Sequence, residues 1–114
     1  MAIEVGSDLR VRRCKPCEGQ VAALSGTLLG DYFKMIEGWE LIEDKKIVKT
    51  FKFANFRKAM EFTNRVGELA EAENHHPDIH LSWGKVKVEL STHAVKGLSE
   101  NDFILAAKID ELPK

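Results

Sequence analysis

Four histidines lie within a short stretch of the chain, and their side chains are the clearest candidates for chemistry. His75 and His76 precede Pro77, His80 follows, and His93 lies further along. An imidazole with an unperturbed pKa of about 6.5 can donate or accept a proton near neutral pH. Histidines that meet in the fold would therefore indicate acid–base chemistry on a small molecule.

A predicted β-hairpin decides which of these histidines meet. Apolar and polar side chains alternate over residues 79–81 and 86–90, with a glycine-containing turn at residues 83–84. This pattern is typical of two antiparallel strands joined by a two-residue turn. In that register His80 faces Lys87, away from the end of the hairpin.

The same register brings the other histidines to one place. It puts Thr92 opposite His75, and His93 opposite Asn74. His76 is adjacent, so the sequence predicts three imidazoles at one end of the hairpin. They could carry out proton transfer, or they could be polar residues of a helix end and a loop.

A metal site is a competing interpretation, because three histidines can hold a catalytic zinc ion. Pro77 prevents His76 and His80 from forming a helical pair four residues apart, and no His-Glu-x-x-His motif is present. These features argue against a metal site at the histidines.

Cys14 and Cys17 form a single Cys-x-x-Cys motif. A structural zinc site requires four ligands, and no second cysteine pair exists. A thioredoxin-like motif would follow a strand and open a helix, which the charged flanking residues do not indicate. A free dithiol in a loop is the favoured interpretation, and a metal or redox role stays open.

Composition excludes several classes of protein. The 114 residues include 17 basic and 18 acidic side chains, for a net charge of −1. This balance argues against binding nucleic acid through bulk electrostatics. No apolar run approaches the roughly 20 residues that cross a bilayer, and residues 1–13 lack an apolar signal core. We expect a cytoplasmic protein that binds neither nucleic acid nor membrane.

Periodicity and turn signals predict an α+β fold, with a four-stranded antiparallel sheet and helices packed on one face in the order α-β-β-α-β-β-α. An irregular arm over residues 1–20 precedes a single domain at residues 21–114. The first predicted elements are a helix over 24–36 and two strands, over 39–43 and 47–53, joined by a turn at 44–46. A second helix begins after the N-cap Asn55 and ends before Pro77. The hairpin described above follows, and a last helix runs from Ser99 to about Leu112.

Two acidic residues near the histidines have simple structural interpretations. Asp102 follows Ser99 by three residues, the spacing of a capping box at a helix start. Glu71 is a solvated helix residue unless it turns towards the histidines.

The spacing around the histidines resembles the signature of the pterin-4a-carbinolamine dehydratase family. Residues 71–77, Trp83, His93 and Asp102 carry the signature, and the similarity extends through residues 55–66 and 97–101. The arm around Cys14 and Cys17 is similar to that of bacterial members. The resemblance covers the chain from about residue 14 to about residue 110.

The resemblance implies an α+β homo-oligomer, either a dimer or a tetramer, that removes water from a 4a-hydroxytetrahydropterin to give the quinonoid dihydropterin. It implies no metal and no organic cofactor. The residues it places in the catalytic site are His75, His76 and His93. The residues it places in contact with the pterin are Asn74, Ser91 and Thr92, and Asp102 matches the terminal acid of the signature. Backbone groups from Ser91 to Ala94 could bond the edge of the pterin, so we expect Ala94 and Asp102 to belong to the binding site as well.

An alternative from another class is a non-catalytic module with the same fold. Such a protein would act as an oligomerisation or transcription cofactor, because animal members of the family also assist a transcription factor. It would form oligomers and capture a partner without accelerating any reaction.

Overall fold

The computed structural model describes residues 8–16 and 21–114, and helices and strands follow one another there in the predicted order. The elements are α1 (Gly26–Phe33), β1 (Glu40–Ile42), β2 (Lys46–Lys52), α2 (Phe56–Glu73), β3 (Asp78–Ser82), β4 (Lys85–Leu90) and α3 (Glu100–Asp110), with short 3-10 helices at Leu9–Val11 and His93–Val95. No helix in the described ranges is both long enough and apolar enough to span a bilayer.

The four strands form one antiparallel sheet in the order β1-β2-β4-β3. Ser82 lies opposite Lys85, and Asp78 lies opposite Glu89. The predicted hairpin register is therefore confirmed, and His80 faces Lys87. Because β4 continues in register with β3, Ser91 and the residues that follow leave the sheet beside the segment that connects α2 to β3.

One face of the sheet packs against the helices and forms the core. The buried side chains on this face are Ile47, Phe51, Val86, Val88 and Leu90. Phe62 of α2 lies over them, with its ring centroid 4.7 Å from that of Phe51 and 5.1 Å from that of Phe53. The opposite face carries exposed lysines such as Lys87, so the predicted arrangement of helices on one face is confirmed.

The first helix is shorter than predicted at both ends. The Leu24 amide donates to the Leu98 carbonyl at 2.8 Å, which ties Leu24 to the segment before α3 and delays the helix start to Gly26. After Phe33 the Met35 amide bonds to Tyr32, three residues back, so the chain leaves α-helical geometry early.

The turn between β1 and β2 also lies earlier than predicted. Glu43 and Asp44 adopt positive φ angles of 53° and 57°, and the Lys45 amide bonds to the Ile42 carbonyl. Lys46, which the prediction placed in the turn, is the first residue of β2. The predicted boundary between arm and domain at residue 20 lies outside the described residues.

The start of α2 gives a direct test of the capping that the sequence predicts. The Asn55 side chain accepts a hydrogen bond from the Lys58 amide at 2.9 Å. We expect Asn55→Ala to lower the free energy of unfolding by about 1 kcal/mol, because it leaves a helix-terminal amide without its side-chain acceptor. Urea denaturation measures this change, with Asn55→Asp as the control that keeps the acceptor. An alanine variant as stable as the wild type would contradict the assignment.

Candidate active site

The end of α2 determines which way the two adjacent histidines point. Asn74 caps the helix in the left-handed conformation, with φ 54°, and its amide bonds back to Ala70 and Glu71. The chain then runs extended through Pro77 into β3, so that successive side chains point to opposite sides. His75 is consequently buried, with 5% of its surface exposed, whereas His76 is exposed.

His75 is held by a buried carboxylate at the start of α3. Its Nε2 atom lies 2.7 Å from Oδ1 of Asp102, which has no exposed surface. The second oxygen of Asp102 accepts hydrogen bonds from the Thr92 hydroxyl at 2.7 Å and from the Ser99 amide at 3.0 Å. Asp102 thus joins the three segments that carry His75, Thr92 and Ser99.

The hydroxyl groups of Thr92 and Ser99 extend this network as a chain of hydrogen bonds that point towards Asp102. The Thr92 hydroxyl uses its only proton to donate to Asp102. In the 2.8 Å hydrogen bond between Thr92 and Ser99, the Ser99 hydroxyl is therefore the donor. Ser99 in turn accepts from the Asn101 amide at 3.3 Å. Among the described residues, no buried side-chain nitrogen or oxygen lacks a hydrogen-bond partner. Bonds aligned in this way strengthen one another and fix a single arrangement.

Asp102 also has the structural role that the sequence predicts. The Ser99 and Asp102 side chains form a capping box at the start of α3, which is confirmed. The positive end of the helix dipole and the two donors stabilise the buried negative charge. The same carboxylate therefore caps the helix and orients an imidazole.

The carboxylate also selects the tautomer of His75. A carboxylate accepts hydrogen bonds only, so Nε2 of His75 must carry a proton at this contact. In the neutral ring the lone pair then lies on Nδ1, the nitrogen that can accept a proton. Asp102 contacts the Nε2 side of the His75 ring, and this contact is buried in the protein interior.

A cavity of about 240 Å³ adjoins this network. It is lined by Lys45, Lys46, Ser91, Thr92, His93, Lys96 and Gly97. Thr92 belongs both to the cavity wall and to the bonds around Asp102, so the cavity and the buried His75 are linked through it. A bridge between Thr92 and Gly97, with the Thr92 amide 2.7 Å from the Gly97 carbonyl, holds the loop that carries His93.

His76 lies in a different groove. Its Nε2 atom is 2.5 Å from a carboxylate oxygen of Glu71, so Glu71 does turn towards the histidines. This groove, of about 570 Å³, is lined by Thr63, Asn64, Gly67, Glu68, Ala70, Glu71, His76, Pro77 and Ile79. The single chain thus joins His75 and Thr92 through Asp102 and places His93, the next residue after Thr92, in the cavity wall, whereas His76 and Glu71 line a separate groove.

The remaining predicted residues surround these two regions. Asn74 is exposed at the end of α2, and Ala94 is exposed in the 3-10 helix His93–Val95. His80 lies on the outer face of the sheet, 3.2 Å from Glu89, apart from the buried network. The residue that sequence reasoning missed is Ser99 as a link in that network, although its spacing from Asp102 was the available signal.

Cys14 is half-buried and does not have the properties of a reactive thiol. Burial, followed by the nearby negative charge of Glu73, raises the pKa of the Cys14 thiol to about 12. Such a thiol stays protonated at neutral pH and is a poor nucleophile and metal ligand. Cys17 lies outside the described residues. Within the described ranges, no group of three or more His, Cys, Asp or Glu side chains is placed to hold a metal ion.

Comparison with known proteins gives a consistent family assignment. The sequence model of the family described as "Pterin 4 alpha carbinolamine dehydratase" matches residues 22–112. A relative from Rubrobacter xylanophilus, provisionally named pterin-4-alpha-carbinolamine dehydratase, is 45% identical over 93% of this chain and 99% of its own length. The Arabidopsis thaliana protein named "Pterin-4-alpha-carbinolamine dehydratase 2, mitochondrial" is 42% identical over 93% of this chain and 59% of its own length.

A solved structure shares the fold. It is described as a crystal structure of "transcriptional coactivator/pterin dehydratase" from Brucella melitensis, and it covers 76% of this chain and 94% of its own. The TM-score is 0.71 at 28% sequence identity.

The contact between His75 and Asp102 predicts a change of tautomer on substitution. In Asp102→Asn, the amide oxygen takes the place of Oδ2 and keeps the bonds from Thr92 and Ser99. The amide nitrogen then donates to Nε2 of His75, so we expect the proton of a neutral His75 to move to Nδ1. Long-range ¹H–¹⁵N correlation spectra distinguish the two tautomers, and spectra of wild type and variant that both show a protonated Nε2 would contradict this geometry.

Proposed function

Because this chain belongs to the pterin 4 alpha carbinolamine dehydratase family, we propose that it removes water from a 4a-hydroxytetrahydropterin to give the quinonoid dihydropterin. The observation that carries the proposal is the buried network of His75, Asp102 and Thr92 beside the cavity that contains His93. The network supplies one imidazole oriented by Asp102, and the cavity that adjoins the network through Thr92 is lined by a second imidazole.

The reaction consists of two proton transfers and one bond cleavage. The C4a–O bond breaks, the departing oxygen takes up a proton and leaves as water, and N5 gives up its proton while its electron pair forms the C4a=N5 bond. One group must donate a proton and another must accept one. The C4a–O bonding pair leaves with the water, and no external oxidant or reductant is consumed. We therefore propose that neither a metal nor an organic cofactor takes part.

We propose that His75 and His93 carry out the two proton transfers and that His76 orients the substrate. Support for His75 comes from Asp102, which fixes its tautomer and stabilises the charged form that arises during transfer. Support for His93 comes from its position in the cavity wall. Glu71 holds the His76 ring in place through its carboxylate.

The pterin edge is rich in hydrogen-bond donors and acceptors. We propose that it is bound by Ser91 and Thr92 in the cavity wall and by the neighbouring Asn74 and Ala94. Asp102 serves in binding through the groups it orients. The polar side chains of Ser91 and Thr92 in the cavity wall support this assignment, because small-molecule sites orient a ligand through a few placed polar groups.

A non-catalytic regulatory module is not favoured. The Rubrobacter and Arabidopsis relatives, at 45% and 42% identity, carry the name of the dehydratase. We further propose a cytoplasmic protein, a location supported by Cys14, which the structure holds as a protonated free thiol.

We also propose that the protein is a homo-oligomer that uses the edge of its sheet. β3 is an outer strand of the sheet, and its Leu81 side chain is 37% exposed. An uncovered edge with an apolar side chain is a surface on which a second copy can pair. Pairing there would also change the surroundings of His76, which lies just before β3.

The assignment of the histidines predicts a clear difference between variants. We expect His75→Ala and His93→Ala each to reduce kcat by about 10²–10⁴-fold, since each removes a proton-transfer group. His80→Ala is the matched control, because His80 lies on the outer sheet face and should leave kcat unchanged. Stopped-flow measurement on freshly generated 4a-hydroxytetrahydropterin tests this. Wild-type turnover in both site variants would refute the mechanism, and no acceleration by the wild-type protein would refute the function.

The proposed oligomer predicts that a charge on the edge strand separates the copies. We expect the wild-type protein to sediment as a dimer or tetramer, and Leu81→Lys to shift it towards a smaller species. Val11→Lys is the control, since Val11 is 78% exposed and lies outside the sheet. Sedimentation velocity at several concentrations gives the result, and a monomeric wild type would contradict the proposal.

A further inference from the structure

The segment Arg13, Cys14 and Lys15, which we call the strap, crosses the two helix ends that carry the buried His75–Asp102 pair. One of these ends is the last turn of α2, two residues before His75, and the other is the first turn of α3, where Asp102 lies. The strap contacts each end through one buried polar side chain, Glu73 on α2 and Asn101 on α3. Neither residue belongs to the walls of the two cavities described above.

Glu73 is a buried carboxylate with two hydrogen-bond donors and a further ion pair. It is 7% exposed, accepts from the Cys14 amide at 2.8 Å and from Lys108 Nζ at 2.7 Å, and forms an ion pair with Arg13 Nε at 3.0 Å. Burial alone would raise the pKa of Glu73, but the Cys14 and Lys108 hydrogen bonds and the nearby positive charges outweigh it and lower the pKa. The carboxylate therefore stays ionised at neutral pH and ties the strap and α3 to the end of α2.

Asn101 makes a two-point contact with the strap backbone. Its side-chain oxygen accepts from the Lys15 amide at 2.9 Å, and its side-chain nitrogen donates to the Lys15 carbonyl at 2.7 Å. The residue has no exposed surface and lies next to Asp102 in the chain. The Cys14 thiol, 3.6 Å from the Asn101 carbonyl, adds a weaker contact at the same point.

Through these contacts the strap connects the end of α2 to the start of α3, and the distance between these two helix ends determines whether His75 and Asp102 are in contact. The two residues lie 27 positions apart in the chain, on different helix ends, and no covalent connection holds the ends together. If either end shifts, the 2.7 Å contact between His75 and Asp102 lengthens and the tautomer is no longer imposed. Replacing Glu73 and Lys108 with apolar residues could supply equal or greater stability, so stability alone does not account for a buried ion pair here.

We infer that Glu73 and Asn101 are positioning residues for the dehydration, and that the strap acts as a clamp on the His75–Asp102 pair. The inference rests on the proposed function, in which His75 transfers a proton. It assigns to the N-terminal segment that carries Cys14 a role in catalysis that needs neither metal binding nor thiol chemistry.

Glu73→Gln tests the clamp with little change of shape. We expect kcat to fall by about 10- to 100-fold with a smaller change in KM, because the misplaced His75 transfers a proton in the reaction. The His75 ¹H–¹⁵N signals should show loss of the uniform Nε2-protonated form. Glu73→Asp, which keeps the charge, should restore part of kcat. Asn101→Ala provides a second variant, at the other end of the clamp, with the same expected signature.

Lys49→Met is the matched control, because it removes an ion pair with Asp110 at the opposite end of α3, where the Lys49 Nζ to Asp110 Oδ1 distance is 2.8 Å. We expect it to lower Tm and to leave kcat and the His75 signals unchanged. Wild-type turnover combined with unchanged kcat in Glu73→Gln and Asn101→Ala would overturn the clamp. An equal fall of kcat in Lys49→Met would overturn it too, by showing a general effect of destabilisation. A wild-type protein without turnover would instead refute the proposed function. Unchanged His75 spectra in both Glu73→Gln and Asn101→Ala would refute the clamp, and this test requires no activity assay.

Discussion

The fully buried carboxylate of Asp102 is the constraint around which this end of the molecule is organised. A carboxylate removed from water costs several kcal/mol unless donors surround it, and here the donors come from three separate parts of the chain. His75 arrives from the end of α2, Thr92 from the end of β4, and Ser99 from the turn before α3. Satisfying one charge therefore fixes the relative positions of two helices and a strand, and gives the buried imidazole of His75 a defined tautomer.

The sheet supplies the second requirement, which is to bring distant residues to one end of the fold. In the antiparallel β3–β4 hairpin, residues before the first strand and after the second leave the sheet at the same end. The helices on the inner face then close the network from one side, and the capping box at Ser99 aligns α3 with its N-terminus towards the charge. Function at this site thus depends on ordinary elements of stability: a hairpin register, a helix cap and a packed core.

Much of the fold could be predicted from the sequence because its signals are local. The alternation in the hairpin gave the correct register of Ser82 with Lys85, and the Ser99 to Asp102 spacing gave the capping box. The ends of α1 could not be predicted, because Leu24 bonds to Leu98, which is distant in the chain. The same limit applied to the site. The hairpin register indicated that His75 and Thr92 would meet, but only the family resemblance placed Asp102 in the same site, since that contact depends on how α3 packs.

His75 and His76 are neighbours in the chain, yet the segment between α2 and β3 places the His75 side chain in the protein interior and the His76 side chain in solvent. Each imidazole has its own carboxylate, but the His75 and Asp102 side chains are 5% and 0% exposed, whereas those of His76 and Glu71 are 53% and 78% exposed. At physiological ionic strength the Debye length is about 8 Å, and exposed ion pairs weaken as salt is added, whereas buried pairs are screened much less. Ionic strength therefore distinguishes the two rings: added salt weakens the attraction between Glu71 and a protonated His76, while the attraction between Asp102 and a protonated His75 persists.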